Sequence, residues 1–150
     1  MPDPVAERLQ ILEDREAIRD LIARYGPLAD AGDAAAVAAL WCENGSYSVG
    51  GLNEACGRTA IAELISGPLH QSLMADGCAH VLTTPLIDLA GDSATACCHS
   101  VVFRHKHGEW TAVRVAANRW ELARTNTGWQ VVRRENALLD GSAAARALFS

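Results

Sequence analysis

Ala94-Thr95-Ala96-Cys97-Cys98-His99-Ser100-Val101-Val102-Phe103-Arg104-His105, then Lys106-His107-Gly108-Glu109, then Trp110-Thr111-Ala112-Val113-Arg114-Val115-Ala116-Ala117-Asn118, is the stretch that decides the fold. β-Branched and small apolar residues run through both arms, and the residues between them are polar with a glycine, which is hairpin chemistry. The pattern extends in both directions. Residues 80–89, 94–105, 110–124 and 129–139 read as strands, with Ala90-Gly91-Asp92-Ser93 and Thr125-Asn126-Thr127-Gly128 as the other turns. Long strands with tight connections predict an antiparallel sheet over the second half of the chain.

Upstream the period changes. Ile18, Leu21, Ile22, Tyr25, Leu28 and Ala29 recur at helical spacing, while Glu13, Asp14, Arg15, Glu16, Arg19 and Asp20 fill the other side. This predicts one long amphipathic helix. Pro27 should kink it or end its regular part, because proline lacks the donor and crowds the preceding turn. Gly32 is a C-terminal stop, and Asp33 an N-cap for a short helix through Ala34 to Trp41. A short strand follows at Gly45–Gly51, then a helix over Ala60–Ile65 behind Thr59, then a loop to Gly77. Helices first and strands afterwards describe an α+β domain with its helices on one face of the sheet. Residues 1–150 read as a single domain, with no repeat, linker or low-complexity tract.

Composition narrows the function. A chain of 150 residues with 49% hydrophobic and 21% charged residues can bury a real core. A net charge of −5, with only Arg133 and Arg134 adjacent among the basic residues, argues against a nucleic-acid partner. No apolar run approaches the ~20 residues that span a bilayer, and no secretory leader is visible at Met1-Pro2-Asp3-Pro4-Val5. The five cysteines show no C-x-x-C spacing and read as small buried thiols in a reducing cytoplasm.

Tyr25, Asp30 and His80 are the candidate chemistry. A carboxylate that fixes one imidazole nitrogen leaves the other free to take a proton near neutral pH. A phenol beside it can donate to a developing oxyanion. Asp30, however, sits about 120° from Ile18 on a straight helix, outside the apolar stripe. On its own it reads as a solvated aspartate near a helix end. His99 alternates with Cys97, Val101 and Phe103, and would face an apolar side. Arg134 and Asn136 share one face of the last strand, and an inward Arg134 would call for a carboxylate or an anionic ligand. Asn118 lies on the face of Ala116 and Trp120, and Trp41 could serve pocket, core or dimer seam. His105 and His107 sit in a cationic hairpin tip without further ligands, so a solvated turn is expected and no metal site. No phosphate-binding glycine loop or nucleophile elbow is present.

Taken together, Asp14-Arg15-Glu16-Ala17-Ile18-Arg19-Asp20-Leu21-Ile22-Ala23-Arg24-Tyr25, Asp30-Ala31-Gly32-Asp33, Leu40-Trp41, Gly57-Arg58-x-x-Ile61, His80, Gly91-Asp92-x-Ala94 and Gly128-Trp129-x-x-x-x-Arg134 resemble SnoaL-like proteins of the nuclear transport factor 2-like superfamily. The resemblance runs over residues 8–141 and is nearest the branch of scytalone dehydratase, bile-acid 7α-dehydratase and hexachlorocyclohexane dehydrochlorinase. It implies a cone-shaped roll, with helices closing over a strongly curved sheet around one apolar pocket. It implies that Asp30 and His80 form a catalytic pair assisted by Tyr25, with Arg134 and His99 at pocket positions; Asn118 and Trp41 join these as substrate-binding candidates from their own placement in the sequence. The implied activity is a cofactor-free, dehydratase-like lyase acting on a hydrophobic cyclic or polyketide-like molecule. An isomerase or cyclase using the same proton abstraction, and a non-catalytic small-ligand carrier, are the alternatives. Apolar residues on both faces of the strands around Ser100–Phe103 and Val113–Ala117 add a homodimer packed sheet to sheet.

Overall fold

A computed structural model describes residues 1–150. Helix α1 runs over Pro4–Ala31, with Asp3 capping its start through a 2.9 Å bond from the Val5 amide and Pro4 in the first turn. It buries Ile18, Leu21, Ile22, Tyr25 and Ala29, the stripe expected from the sequence. Pro27 lies inside the helix and does not end it. The helix stops at Gly32, whose φ of 73° is left-handed and whose amide reaches back to Ala29 and Leu28. Asp33 caps the short helix α2, Ala34–Ala38, through a 3.0 Å bond from the Ala36 amide.

The sheet is larger than the sequence suggested. Strand β1 is Trp41–Val49, so Trp41 opens a strand and does not close a helix. Strand β2, Glu54–Cys56, was not anticipated. Helix α3 is Gly57–Ser66, and the expected loop after it is a further helix, α4, Pro68–Asp76, begun by Pro68. The span 80–89 is two strands, β3 (Cys78–Leu82) and β4 (Leu86–Ala90), separated around Pro85 and both paired with β5. Strands β5 (Ser93–Lys106), β6 (Glu109–Thr125) and β7 (Gly128–Leu138) form the antiparallel body, and α5, Ala143–Ala147, follows it. The strand order is β2-β1-β7-β6-β5-β3, with only the β1–β7 pairing parallel.

The curved, unclosed sheet wraps its inner face around α1, and register decides which residues look inward. Ala96, Trp120, Arg134 and Tyr47 are successive cross-strand partners, as are Cys98, Asn118, Asn136 and Val49. Partners in one row share a face. Trp41, Tyr47 and Trp120 close against Tyr25 with ring centroids 6.2, 6.2 and 6.4 Å away. Burying each indole removes roughly 200 Å² from water, about 5 kcal/mol of transfer free energy. The sequence had set the five cysteines in the interior. Only Cys98 is buried, and Cys56 is exposed. No helix is long and apolar enough to cross a membrane.

Candidate active site

Gly26 is where α1 and β3 meet. A Cβ there would lie 2.3 Å from the His80 carbonyl oxygen, so only glycine admits the strand this close. Asp30 lies one helical turn further on, on the same face as Gly26. The strand that touches Gly26 through His80 is therefore within reach of Asp30. Both carboxylate oxygens accept from the His80 backbone amide at 3.0 Å, and Oδ1 pairs with His80 Nδ1 at 2.7 Å. The side chains are 28% and 12% exposed, Asp30 and His80 respectively. The face that looked solvated on an isolated helix is the one β3 covers.

With Nδ1 held by the carboxylate, Nε2 of a neutral His80 has a free lone pair. Burial lowers the His80 pKa from its ordinary 6.5, against the opposing pull of the Asp30 hydrogen bond and charge. The charges of His70 and Arg134 push the same way as burial. His80 is accordingly neutral at neutral pH, with Nε2 unprotonated. Tyr25 stands beside it with ring centroids 6.3 Å apart.

These groups border a cavity of about 480 Å³, the range for a drug-sized ligand. Tyr25, Tyr47, Glu63, His70, His80, Ser100, Arg104, Arg114, Arg134 and Asn136 supply its polar lining. Val49, Leu64, Ile65, Leu73, Leu82 and Val102 supply much of the apolar wall. Leu52, Leu69, Val113 and Leu138 also line it while facing solvent, which marks the open end.

The inner wall is polar and tightly bonded. Arg134, 1% exposed, donates from Nε and Nη2 to Asn118 Oδ1 at 2.9 and 2.8 Å. Its guanidinium carbon lies 4.2, 4.5 and 4.3 Å from the ring centres of Tyr25, Tyr47 and Trp120. The carboxylate that an inward arginine called for is replaced by aromatic faces, which attract a cation through their quadrupoles. Its Nη1 has no hydrogen-bond partner. Asn118 also donates to Ser100 Oγ at 2.7 Å and accepts from Asn136 Nδ2 at 3.1 Å. Burial raises the Tyr47 pKa well above its ordinary 10.0, so its phenol stays protonated.

Tyr25, His80 and Arg134 of the expected site residues line the cavity, and Asp30 reaches it through His80. The others do not. His99 is on the outer face, exposed, its ring 4.8 Å from that of Phe149. The inward set on β5 is Cys98, Ser100 and Val102, the opposite parity from the one expected. Asn118 is fully buried behind the wall and acts by holding Arg134 and Asn136. Trp41 is core, with its indole donating to the Ser46 carbonyl and its ring stacked on Tyr47.

Tyr47, His70, Ser100 and Arg114 were missed as lining residues. His70 was hidden by the unrecognised α4, for which Pro68 and the Leu69–Leu73 spacing were the readable signals. It is 6% exposed, and its ring lies 5.2 Å from that of His80. Its Nε2 is 2.7 Å from the Ala29 carbonyl oxygen, which can only accept, so that nitrogen carries the hydrogen.

Asp30, Cys78 and His80 are the residues that could hold a metal, with ligand atoms within 4.8 Å of one another. An ion there would have to break the Asp30–His80 bond. The Cys78 thiol is pushed up to about 11 by burial and by Asp30, so it is protonated at neutral pH and a poor ligand.

Comparison with known proteins bears on the family and the fold. Residues 10–135 match the model of the SnoaL-like domain, and the chain belongs to that family. It is similar to an NTF2-like protein with a cystatin-like fold from Novosphingobium aromaticivorans, at 60% identity over 100% of this chain and 99% of that one, TM-score 0.97. Rv3472 from Mycobacterium tuberculosis, of unknown function, shares the fold at 23% identity, over 97% of this chain and 88% of that one, TM-score 0.75. A candidate dehydratase of the NTF2-like family from Streptomyces avermitilis does so at 15% identity, over 85% and 97%, TM-score 0.69. No curated protein matches the chain.

Proposed function

We propose that this SnoaL-like protein is a lyase of the dehydratase kind, acting on a hydrophobic cyclic or polyketide-like molecule with its side chains alone. The observation that carries the reading is the 2.7 Å bond between Asp30 Oδ1 and His80 Nδ1 in the wall of an apolar cavity. His80 Nε2 takes a proton from carbon next to a carbonyl. The C–H electron pair becomes the new C=C bond as the β-hydroxyl departs, and the proton leaves with it as water. Asp30 holds the imidazole tautomer and stabilises the imidazolium that forms. Tyr25 donates to the carbonyl oxygen, where negative charge grows. The positive charge of Arg134, behind the Tyr25 ring, favours charge building up there.

A panel of cyclic β-hydroxy ketones incubated with the protein, read by mass spectrometry for loss of water, tests this. Turnover that survives intact in His80→Ala would end it. Exchange of the α-proton for deuterium without loss of water would instead favour isomerisation or cyclisation, in which the same base acts and the carbanion has another fate.

A further inference from the structure

Three arginines line the cavity, and two of them, Arg114 and Arg134, have no carboxylate partner. The ion pairs of the chain engage Arg19, Arg24, Arg104, Arg124 and Arg133. Arg134 instead rests on the amide oxygen of Asn118, and Arg114 donates from Nη2 to the Gly50 carbonyl and, at 2.7 Å, to Asn136 Oδ1. An amide oxygen satisfies a donor but carries no charge. Asn136 and Asn118 bond to each other, so the two cations stand at opposite ends of one neutral chain of hydrogen bonds. Glu63, exposed on α3 at the same cavity, bonds to neither. Arg104 also lines the cavity, but Asp76 neutralises it.

Arg114 is the one of the pair placed to meet a ligand. It is half-buried among Val49, Leu52, Val113 and Leu138 near the open end, and its Nε and Nη1 make no hydrogen bond. Burial and the charge of Arg134 both disfavour its cationic form, which an anion would relieve. Register sets the distance to the chemistry. His80 pairs with Val102 and Val102 with Arg114, so the three form one row across β3, β5 and β6. Two inter-strand steps separate the backbones of His80 and Arg114 by roughly 10 Å.

We infer that the ligand of this cavity is a carboxylate-bearing apolar molecule, with its carboxylate on Arg114 and its apolar body extending along Val102 toward His80. The inference rests on the cavity being the substrate site and specifies the class of molecule that enters it. A charge-assisted bond from Arg114 to the carboxylate would be about twice as strong as one to a neutral amide.

Matched probes read it directly: 2-naphthoate and 2-naphthamide share a shape and differ in charge. Titration calorimetry at neutral pH should give the wild-type protein at least about tenfold tighter binding of the naphthoate. Arg114→Gln should abolish that preference, weakening the naphthoate more than the naphthamide, and Arg114→Lys should keep part of it. Thermal melts of both variants confirm folding, and the preference in the wild-type protein should shrink with added salt. Equal affinity for the two probes, failure of both to bind, or a preference that survives in Arg114→Gln would overturn the inference. His80→Ala separates it from the catalytic reading. Anion preference with turnover intact in that variant leaves this inference standing and removes the lyase, and the reverse pattern does the opposite.

Discussion

Gly26 and His80 meet backbone to backbone: a side chain on the helix residue would come within 2.3 Å of the strand residue's carbonyl oxygen. Asp30, one turn along the same helix face, then receives both the amide and the ring nitrogen of His80. The acid–base pair therefore depends on a residue that takes no part in it. Gly26→Ala should push β3 off α1, costing about 1–3 kcal/mol by overpacking. Chemical denaturation should show this loss, and proton resonances of the His80 ring should show that the Asp30 bond has weakened. Unchanged stability and an intact bond would mean that the strand can yield without consequence.

Substitutions within the pair should be graded. Asp30→Asn should lower turnover by between about tenfold and a thousandfold without unfolding the protein, since it spoils the tautomer and keeps the shape. His80→Ala should lower it at least as far, because the base itself is gone. Tyr25→Phe should cost less than either. Initial rates beside circular dichroism spectra decide the order, and a Tyr25→Phe defect larger than that of His80→Ala would reverse the assigned roles.

The pH response follows from the lowered His80 pKa. The neutral ring is the active form, so turnover should hold at neutral pH and fall only on an acid limb below 6.5. The carboxylate pulls against the lowering, so Asp30→Asn should move that limb further down. Stability carries the same sign. The unfolded ring takes its proton near 6.5 and the folded ring only at lower pH, so the contribution is complete above 6.5 and drains away as pH falls. An NMR titration of the ring protons gives the value directly, and a midpoint above 6.5 would contradict the argument.

A second buried carboxylate has a structural role. Asp14 accepts from Arg124 at 2.8 and 2.7 Å and from the Trp129 indole at 3.1 Å, tying α1 to β6 and β7. These bonds, Arg124 foremost, hold its pKa at about 2, below the ordinary 3.8. Its stabilisation is present above 3.8 and is lost as pH falls toward 2. Asp14→Ala should cost about 1–3 kcal/mol at neutral pH by stranding two donors, one a charged guanidinium. It should also flatten the acid limb of stability between those values. Denaturant midpoints measured across that range check both parts.

The outer face of the sheet bears on assembly. Val81, Val115 and Val132 are all more than a third exposed. We propose that a second copy of the chain covers them. Light scattering should return twice the 16.0 kDa of one chain at micromolar concentration, and Val115→Glu should halve the mass. A monomeric wild-type protein would leave that face to another role.

The elements whose signals are local were legible in the sequence. The stripe from Ile18 to Ala29, the stop at Gly32, the cap at Asp33 and the hairpins of β5, β6 and β7 all depend on neighbours within a turn or a strand. So Asp30, His80 and Tyr25 could be named as a set from the chain and its family resemblance. Which side of each strand faces inward could not be read in every case. On β5 both alternating sets are small or apolar, so periodicity favours neither Ser100 nor His99. Hydrogen bonds to Asn118 and Asn136, on β6 and β7, set Ser100 inward. Likewise the partner of Asp30 lies fifty positions away, and nothing local distinguishes a solvated aspartate from one that a strand will cover. Arg134 stays buried without a carboxylate because three aromatic rings from three separate elements converge on it. Such convergence is a property of long-range contacts, and those are formed only when the sheet closes on the helix.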